Sequence, residues 1–418
     1  MSGRDIGTTP DFTTELLPSH AKNIGMLELN NPKALNALTL DMVRALNSVL
    51  STWQALPPPD NLAATYMFGR PKVVEGGYHK PVFCAGGDVK SVYLNGKNTQ
   101  GKHGWGVPGL ETADFFREEY TINHMIATQY ERTGIPQISI WDGIVMGGGV
   151  GLSIHGKYRI ATQNTMFAMP ETGIGLFPDV GGLWALSRLS SYKGMGTYLA
   201  LTGERVHGMD CVKIGLATHY MSSQLLEDLK SVLVNSSVKG ESGKPFDAAS
   251  ILANFHETKY KNWNDKSVDY STFSKAHLIE KAFHNKESVQ HIIDTLVEMK
   301  ESPEDGAVGS VHFALETLNT LRKKSPTSLK VTFEGLKRSL YCDNIGEDLQ
   351  MEYRLSQGFM RPGSDFYEGV RALLIDRDHK PKWNPAKLSD VTPDMVETYF
   401  QALGENEWQI PTYTQSNL

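Results

Sequence analysis

Twice in this chain a strand-like run ends in consecutive glycines: Phe83-Cys84-Ala85-Gly86-Gly87-Asp88 and Met146-Gly147-Gly148-Gly149-Val150-Gly151. Glycine at a strand end lets backbone N–H groups approach another chain segment or a ligand with no Cβ in the way. One N–H from each loop, aimed at a common point, forms an oxyanion hole for an acyl group. The segment after the second loop, Met169-Pro170-Glu171-Thr172-Gly173-Ile174-Gly175-Leu176-Phe177-Pro178-Asp179, adds two carboxylates to a mostly apolar, glycine-broken stretch. No G-x-S-x-G elbow offers a nucleophilic serine. Oxyanion donors beside carboxylates, without such an elbow, point to thioester chemistry on an acyl-CoA.

The two loops sit in a chain whose first half alternates strand and helix signals. Met26, Leu27 and Leu29 form a strand-like run that ends at Asn30-Asn31-Pro32. A helix is predicted from Thr39, a candidate N-cap, to about Trp53, with Met42, Val43, Leu46 and Val49 on one face. Pro57-Pro58-Pro59 breaks it. Strands are predicted at Ala64–Phe68 and Val82–Cys84, followed by a polar, glycine-rich stretch at Gly96–Gly109 that is expected to be mobile. A long helix spans about Thr112–Arg132, and the strand Gln137–Trp141 leads into the second glycine loop. Strand, glycine turn, helix, strand, repeated, is the pattern of an α/β core. After about residue 222 the pattern turns helical at 3.6-residue spacing, from Leu225–Val234 through Glu347–Met360. The organisation read from this is an acyl-binding core at 20–222 and a helical region at 223–418, with Ser236–Pro245 as the linker. There is no internal repeat.

Composition removes other classes. The net charge of −6 over 418 residues argues against a sequence-independent nucleic-acid binder. No run of eighteen apolar residues is present to span a bilayer. Cys84, Cys211 and Cys342 are scattered, fitting a reducing compartment and offering neither a disulfide framework nor metal-ligand spacing. The histidines form no ligand pattern, so no metal is expected. Met1–His20 resembles neither a secretory signal nor an Arg-rich transit peptide, so either no import by this route or a trimmed presequence is expected. Ser416-Asn417-Leu418 is a faint match to the peroxisomal Ser-Lys-Leu address, without its lysine.

At the level of single residues, Gly87 and Gly148 are the candidate oxyanion donors, the second reinforced by an expected short helix at Val150–His155. Tight turns or a phosphate loop are the alternatives, although Gly-Gly-Gly-x-Gly lacks dinucleotide-binding spacing. Glu171, among Phe167, Met169, Ile174 and Phe177, sits where apolar surroundings raise a carboxyl pKa into the range of a general base or acid. Asp179 is placed to share a water or a substrate hydroxyl with it. A helix cap and an ion pair are the plainer readings of these two. Glu118 and Glu119 on the long helix read as a solvated face, unless Glu119 points inward between Phe115, Phe116 and Ile122.

These residues resemble the crotonase (enoyl-CoA hydratase/isomerase) superfamily, and within it the thioester-hydrolase branch. The resemblance runs from about Leu27 to the C-terminus. It rests on Asn31–Leu38, Phe83–Asp88, Phe115–Tyr120, Met146–Ser153, Phe167–Gly182, Met351–Ser356 and Glu368–Asp376. It implies a spiral of ββα units followed by a long helical region. It also implies hydrolysis of 3-hydroxyisobutyryl-CoA in valine breakdown, in the mitochondrial matrix more than in the peroxisome. Coenzyme A then arrives as part of the substrate, bent across the Cys84–Asp88 loop, with no separate cofactor. No nucleic acid or membrane partner is implied, and a homo-oligomer is possible. The resemblance assigns the oxyanion N–H groups to Gly87 and Gly148 and the substrate-site carboxylates to Glu119, Glu171 and Asp179. Hydratases of the superfamily use two glutamates, the first of them two residues past the triple glycine. Here that position is Gly151, which disfavours alkene hydration.

Overall fold

The computed structural model describes residues 9–17, 23–56, 61–99, 109–189, 191–238, 246–256, 272, 274–301 and 308–413. In chain order the strands are β1 (Phe12–Leu17), β2 (Asn23–Leu29), β3 (Leu62–Gly69), β4 (Lys72–Val73), β5 (His79–Lys80) and β6 (Val82–Cys84). They continue as β7 (Gln137–Trp141), β8 (Ile144–Met146), β9 (Tyr158–Ala161), β10 (Met166–Ala168), β11 (Val206–His207) and β12 (His219–Tyr220). The larger sheet runs β1-β2-β3-β7-β9-β12 and a smaller one runs β11-β10-β8-β6, with β4 and β5 a separate ribbon. β3, β7 and β9 lie side by side in the large sheet, and the strands that follow each of them, β6, β8 and β10, lie side by side in the small one. Each repeat therefore gives one strand to each sheet, the spiral of ββα units.

Pairing within β6-β8-β10 is parallel, with Cys84 opposite Val145 and Ala168 opposite Met146. Parallel strands end together, so the two glycine loops and the Pro170-Glu171 turn leave the sheet at one edge. Ligands of parallel α/β sheets gather outside such carboxyl ends.

The helices that frame this edge follow from the apolar spacing. Thr39 caps α1 (Leu40–Gln54), its hydroxyl accepting from the Met42 N–H at 3.2 Å, and Met42, Val43, Leu46, Val49, Leu50 and Trp53 are buried. Each such side chain contributes roughly 1.5–3 kcal/mol on burial. Next come α2 (Val89–Thr99) and α3 (Glu111–Thr133), the latter stopped by Gly134 at φ +71°. Gly148–Gly151 forms a single helical turn, α4, and Gly182–Ser187 a short helix, α5. The helix expected at Val150–His155 thus begins two residues earlier and ends at Gly151, which aims the Gly148 N–H rather than the Val150 N–H out of the turn.

Beyond residue 222 the helices Leu226–Val238, Ala248–Phe255, Ala276–Phe283, Val289–Glu301, Val308–Leu321, Pro326–Ser339 and Ile345–Phe359 match the periodicity within a few residues at each end. One buried cluster joins Phe83, Tyr120, Phe177 and Leu183 of the first half to Leu336, Tyr353, Phe359 and Trp408 of the second. Phe177 and Phe359 stack at 5.8 Å between centroids. Residues 100–108 of the glycine-rich stretch, 239–245 of the linker, 1–8 and 18–20 of the N-terminal stretch and Ser416-Asn417-Leu418 lie outside the described residues, whereas residues 96–99 of the glycine-rich stretch close the helix α2. The strands β1, β9 and β10 and the helix Pro393–Phe400 are not among the elements read from the sequence, although Thr392 and Pro393 mark that helix as an N-cap and first position.

Candidate active site

The first glycine loop is held in place by the segment before α1. The buried Asn36 amide donates to the carbonyls of Val82 and Phe83 at 3.1 Å each and accepts from the Asn31 N–H at 2.9 Å. The Leu38 N–H bonds the Gly86 carbonyl and the Asp88 N–H bonds the Leu38 carbonyl, both at 2.8 Å. In that parallel bridge the N–H of Gly87 faces away from Leu38, toward the second loop. Gly148 opens α4, so its N–H has no intrahelical acceptor. Among the described residues neither N–H donates a hydrogen bond. A Cβ on Gly148 would lie 3.2 Å from the Gly87 nitrogen and would collide with Oε1 of Glu119. The two donors and the carboxyl therefore share one space.

Glu119, Glu171 and Asp179 are 2 %, 5 % and 6 % exposed, values that mark three carboxyls drawn inside the protein. Glu119 and Glu118 are split by the helix. Glu118 faces outward and pairs with Arg44 at 2.9 Å, while Glu119 turns in and its Oε1 has no partner among the described residues. Glu171 opens a 3₁₀ turn, Glu171–Ile174; its Oε1 lies 3.0 Å from where a Cβ on Gly147 would be, and its Oε2 is buried without a partner. Asp179 Oδ2 accepts from the Tyr120 hydroxyl at 3.0 Å. So the structure brings Gly87, Gly148, Glu119, Glu171 and Asp179 together around one turn. Glu119 does not lie on a solvated face, because Phe115, Phe116 and Ile122 carry that side of α3 into the core.

Three carboxyls in one apolar enclosure cannot all ionise cheaply. Burial pushes Glu119 well above the usual carboxylate range, and the charges of Asp179 and Glu171 push it further. Burial and Asp179 raise Glu171 likewise, against a backbone hydrogen bond and the Lys324 ammonium, which favour its ionised form. Asp179 is pushed up to about 7 by burial, held back by the Tyr120 bond and a backbone one. Glu119, with no donor to favour its anion, keeps the proton. Donors offset part of this rise at Asp179 and Glu171, so their ionised forms are better supported than that of Glu119.

Gly151 receives a physical reason. A Cβ there would lie 2.5 Å from Val180 Cβ and 2.8 Å from Asn123 Nδ2. Val180, next to Asp179, occupies the space that a side chain at 151 needs. Asn123 itself is fully buried with both amide atoms unpartnered among the described residues. It sits one turn after Glu119 on α3, a spacing that puts both on one face. Tyr120, Asn123, Lys324 and Glu352 escaped sequence reasoning. The i, i+4 step from Glu119 signals Asn123, whereas Lys324 and Glu352 reach the site only through the tertiary fold.

Beside Gly87, whose added Cβ would touch the Phe115 ring at 3.0 Å, opens a cleft of about 350 Å³ lined in part by Asp88 and Phe115. Asp41, Arg44, Glu111 and Asp114 also line it, Arg44 lying 3.9 Å from Asp114. Cys84 lies beneath the loop, buried, its thiol donating to the Asn36 carbonyl at 3.0 Å and pushed up to about 12 by burial. It is a packing residue.

A profile of the family described as enoyl-CoA hydratase/isomerase matches residues 24–400. Proteins named mitochondrial 3-hydroxyisobutyryl-CoA hydrolase are similar along nearly the whole chain. The one from Xenopus tropicalis is 41% identical over 95% of this chain and 91% of its own, and the one from Homo sapiens is 39% identical over the same shares. Among solved structures, a carnitinyl-CoA dehydratase from Mycobacterium thermoresistibile superposes with a TM-score of 0.75 at 30% identity, covering 95% of this chain and 98% of that one. An enoyl-CoA hydratase from Rhodobacter sphaeroides 2.4.1 superposes with a TM-score of 0.71 at 28% identity, covering 95% and 99%.

Proposed function

The chain belongs to the enoyl-CoA hydratase/isomerase family, and we propose that within it the protein is a thioester hydrolase, cleaving 3-hydroxyisobutyryl-CoA to 3-hydroxyisobutyrate and coenzyme A. The observation that carries this reading is the meeting of two free backbone N–H groups with a buried carboxyl cluster whose hydratase position is filled by Val180. The acyl oxygen takes the N–H groups of Gly87 and Gly148 and gains charge there as the carbonyl carbon becomes tetrahedral. Each such donor is worth roughly 3 kcal/mol to the transition state. Glu171, whose ionised form its backbone bond and Lys324 favour against burial, removes a proton from water. The hydroxide oxygen joins the acyl carbon, the C–S bond breaks, and the proton passes to the coenzyme A thiolate. Asp179 accepts from the 3-hydroxyl, and protonated Glu119 donates to a substrate oxygen. Attack by Glu171 itself, giving a mixed anhydride, uses the same residues. Acid quench of a single turnover, followed by mass spectrometry of the Glu171 peptide, separates the two routes by the presence or absence of an acyl adduct.

Coenzyme A enters as part of the substrate, so the reaction calls for no further cofactor. The mitochondrial names of the sequence relatives support a mitochondrial location, and we propose the matrix as the compartment and valine breakdown as the route. Assembly into a homo-oligomer is tested by sedimentation.

A second reading, hydration of an enoyl-CoA, is favoured by the names of the solved neighbours. One experiment decides. Thiol release from 3-hydroxyisobutyryl-CoA is followed beside the double-bond absorbance of crotonyl-CoA. Fast thiol release with the absorbance unchanged is expected. Loss of the absorbance without thiol release would replace the hydrolase by the hydratase.

A further inference from the structure

The tail block Met351–Ser356 touches none of the reacting atoms, yet it converges on Asp179 from two sides. It lies on the helix Ile345–Phe359. Glu352, fully buried, accepts the Gly181 N–H at 2.7 Å with one carboxylate oxygen and the Leu183 N–H at 3.0 Å with the other. Those are the N–H groups of the N-cap residue and of the second residue of α5, just after Asp179. Tyr353 packs edge-on against Tyr120 at 6.3 Å between centroids, and Tyr120 is the residue that bonds Asp179.

The turn between Asp179 and α5 is not one the chain would adopt alone. Val180 has φ +58° and Gly181 φ +75°. Glycine accepts this region, but for a β-branched residue it is an outlier. Such strain persists only where the surroundings over-determine it, and it clusters at functional sites. Here two contacts hold it. Glu352 grips the Gly181 N–H. On the other side His155 Nε2 bonds the Val180 carbonyl at 2.8 Å, and, the acceptor being a carbonyl, Nε2 carries the proton. Burial pushes His155 down to about 4, so the ring is neutral near pH 7 and donates as required.

We infer that Glu352 and His155 are positioning residues that clamp the left-handed Val180 turn and thereby aim the Asp179 carboxylate into the site. The clamp also seats the Val180 side chain against Gly151, so the same contact that aims Asp179 closes the hydratase position. This rests on the proposed part of Asp179 in the reaction.

A cycle of variants tests it, with kcat and KM for 3-hydroxyisobutyryl-CoA measured on each folded protein. Glu352→Gln keeps size but faces one of the two N–H groups with an amide. It is expected to lower kcat by ten- to a hundredfold with KM within about threefold. Val180→Gly removes the strain, since glycine adopts the turn unaided. In the Val180→Gly background the loss caused by Glu352→Gln should shrink at least fivefold or so, a rescue that general damage to the core would not give. In an Asp179→Asn background the same substitution should cost less than about threefold, because its target is already gone. Equal losses in all three backgrounds would overturn the clamp. If Glu352→Gln does not fold, His155→Asn takes its place in the cycle with the same expectations. Full activity of Asp179→Asn would instead overturn the role given to Asp179, a result distinct from failure of the clamp.

Discussion

The Tyr120 hydroxyl donates a 3.0 Å hydrogen bond to Asp179 Oδ2 inside an enclosure of carboxyl groups. That bond favours the ionised form of Asp179 against burial, which pushes the group up to about 7. Tyr120→Phe removes the donor and keeps the ring against Tyr353. A hydrogen bond to a charged group is worth roughly 1.5–3 kcal/mol, or about one to two pH units. The acidic limb of kcat against pH is therefore expected to move upward by that amount, with kcat near pH 7 falling about tenfold or more. A limb that stays in place would separate Tyr120 from Asp179 in the reaction.

Gly151 and Val180 give the second expectation. Because an added Cβ at 151 meets Val180 Cβ at 2.5 Å, Gly151→Ala overpacks the turn. Denaturant titration should register a loss of about 1–3 kcal/mol, and kcat should fall as Asp179 is displaced. Gly151→Glu restores the hydratase carboxylate in sequence but not in space. It is expected to gain no hydration of crotonyl-CoA, and appearance of that activity would refute the steric account.

Adjacent glutamates on α3 should behave as strangers. The Arg44–Glu118 pair is surface-exposed, and such pairs contribute under about 1 kcal/mol. Glu118→Ala should leave kcat within about twofold. Glu119→Ala should lower it about a hundredfold or more, the range of a lost acid–base group. Glu119→Gln should retain more activity than Glu119→Ala, because a neutral amide can still donate. If Glu119→Gln were the worse of the two, Glu119 would be acting as an anion and the proton assignment would fail.

How much of this was legible beforehand varied with how local each cause is. The glycine loops were readable because strand ends and consecutive glycines are adjacent in sequence, and parallel pairing of β6, β8 and β10 then fixed their neighbours. Glu171 and Asp179 were readable from their apolar company. The inward turn of Glu119 was not, since spacing alone gives a helix face and not what covers it. Only the packing of α1 against α3 places Arg44 opposite Glu118 and leaves Glu119 to the core. Glu352 was least accessible. Its block stood out as a resemblance, but its partners Gly181 and Leu183 lie 171 and 169 residues away. No local pattern encodes such a bond.

The carboxyl cluster should also leave a mark on stability. Asp179 has an ordinary value of 3.8 and is pushed up to about 7 in the folded protein. Below pH 4 it is protonated in both states, and its contribution to folding is intact. Between pH 4 and 7 the unfolded chain releases the proton while the folded one keeps it, so stability is lost as pH rises. Above about 7 the folded group ionises too, and the penalty stays constant. Asn at this position never ionises and can still accept from Tyr120. Asp179→Asn should therefore match the native protein near pH 4 and exceed it increasingly up to pH 7, by at most about 4 kcal/mol. Proton sharing with Glu119 and Glu171 makes the gain smaller than that bound. Denaturant titrations of both proteins at pH 5 and pH 8 measure it. A gap that does not widen with pH would mean that Asp179 is ionised at little cost, and that the enclosure is not the apolar one its burial implies.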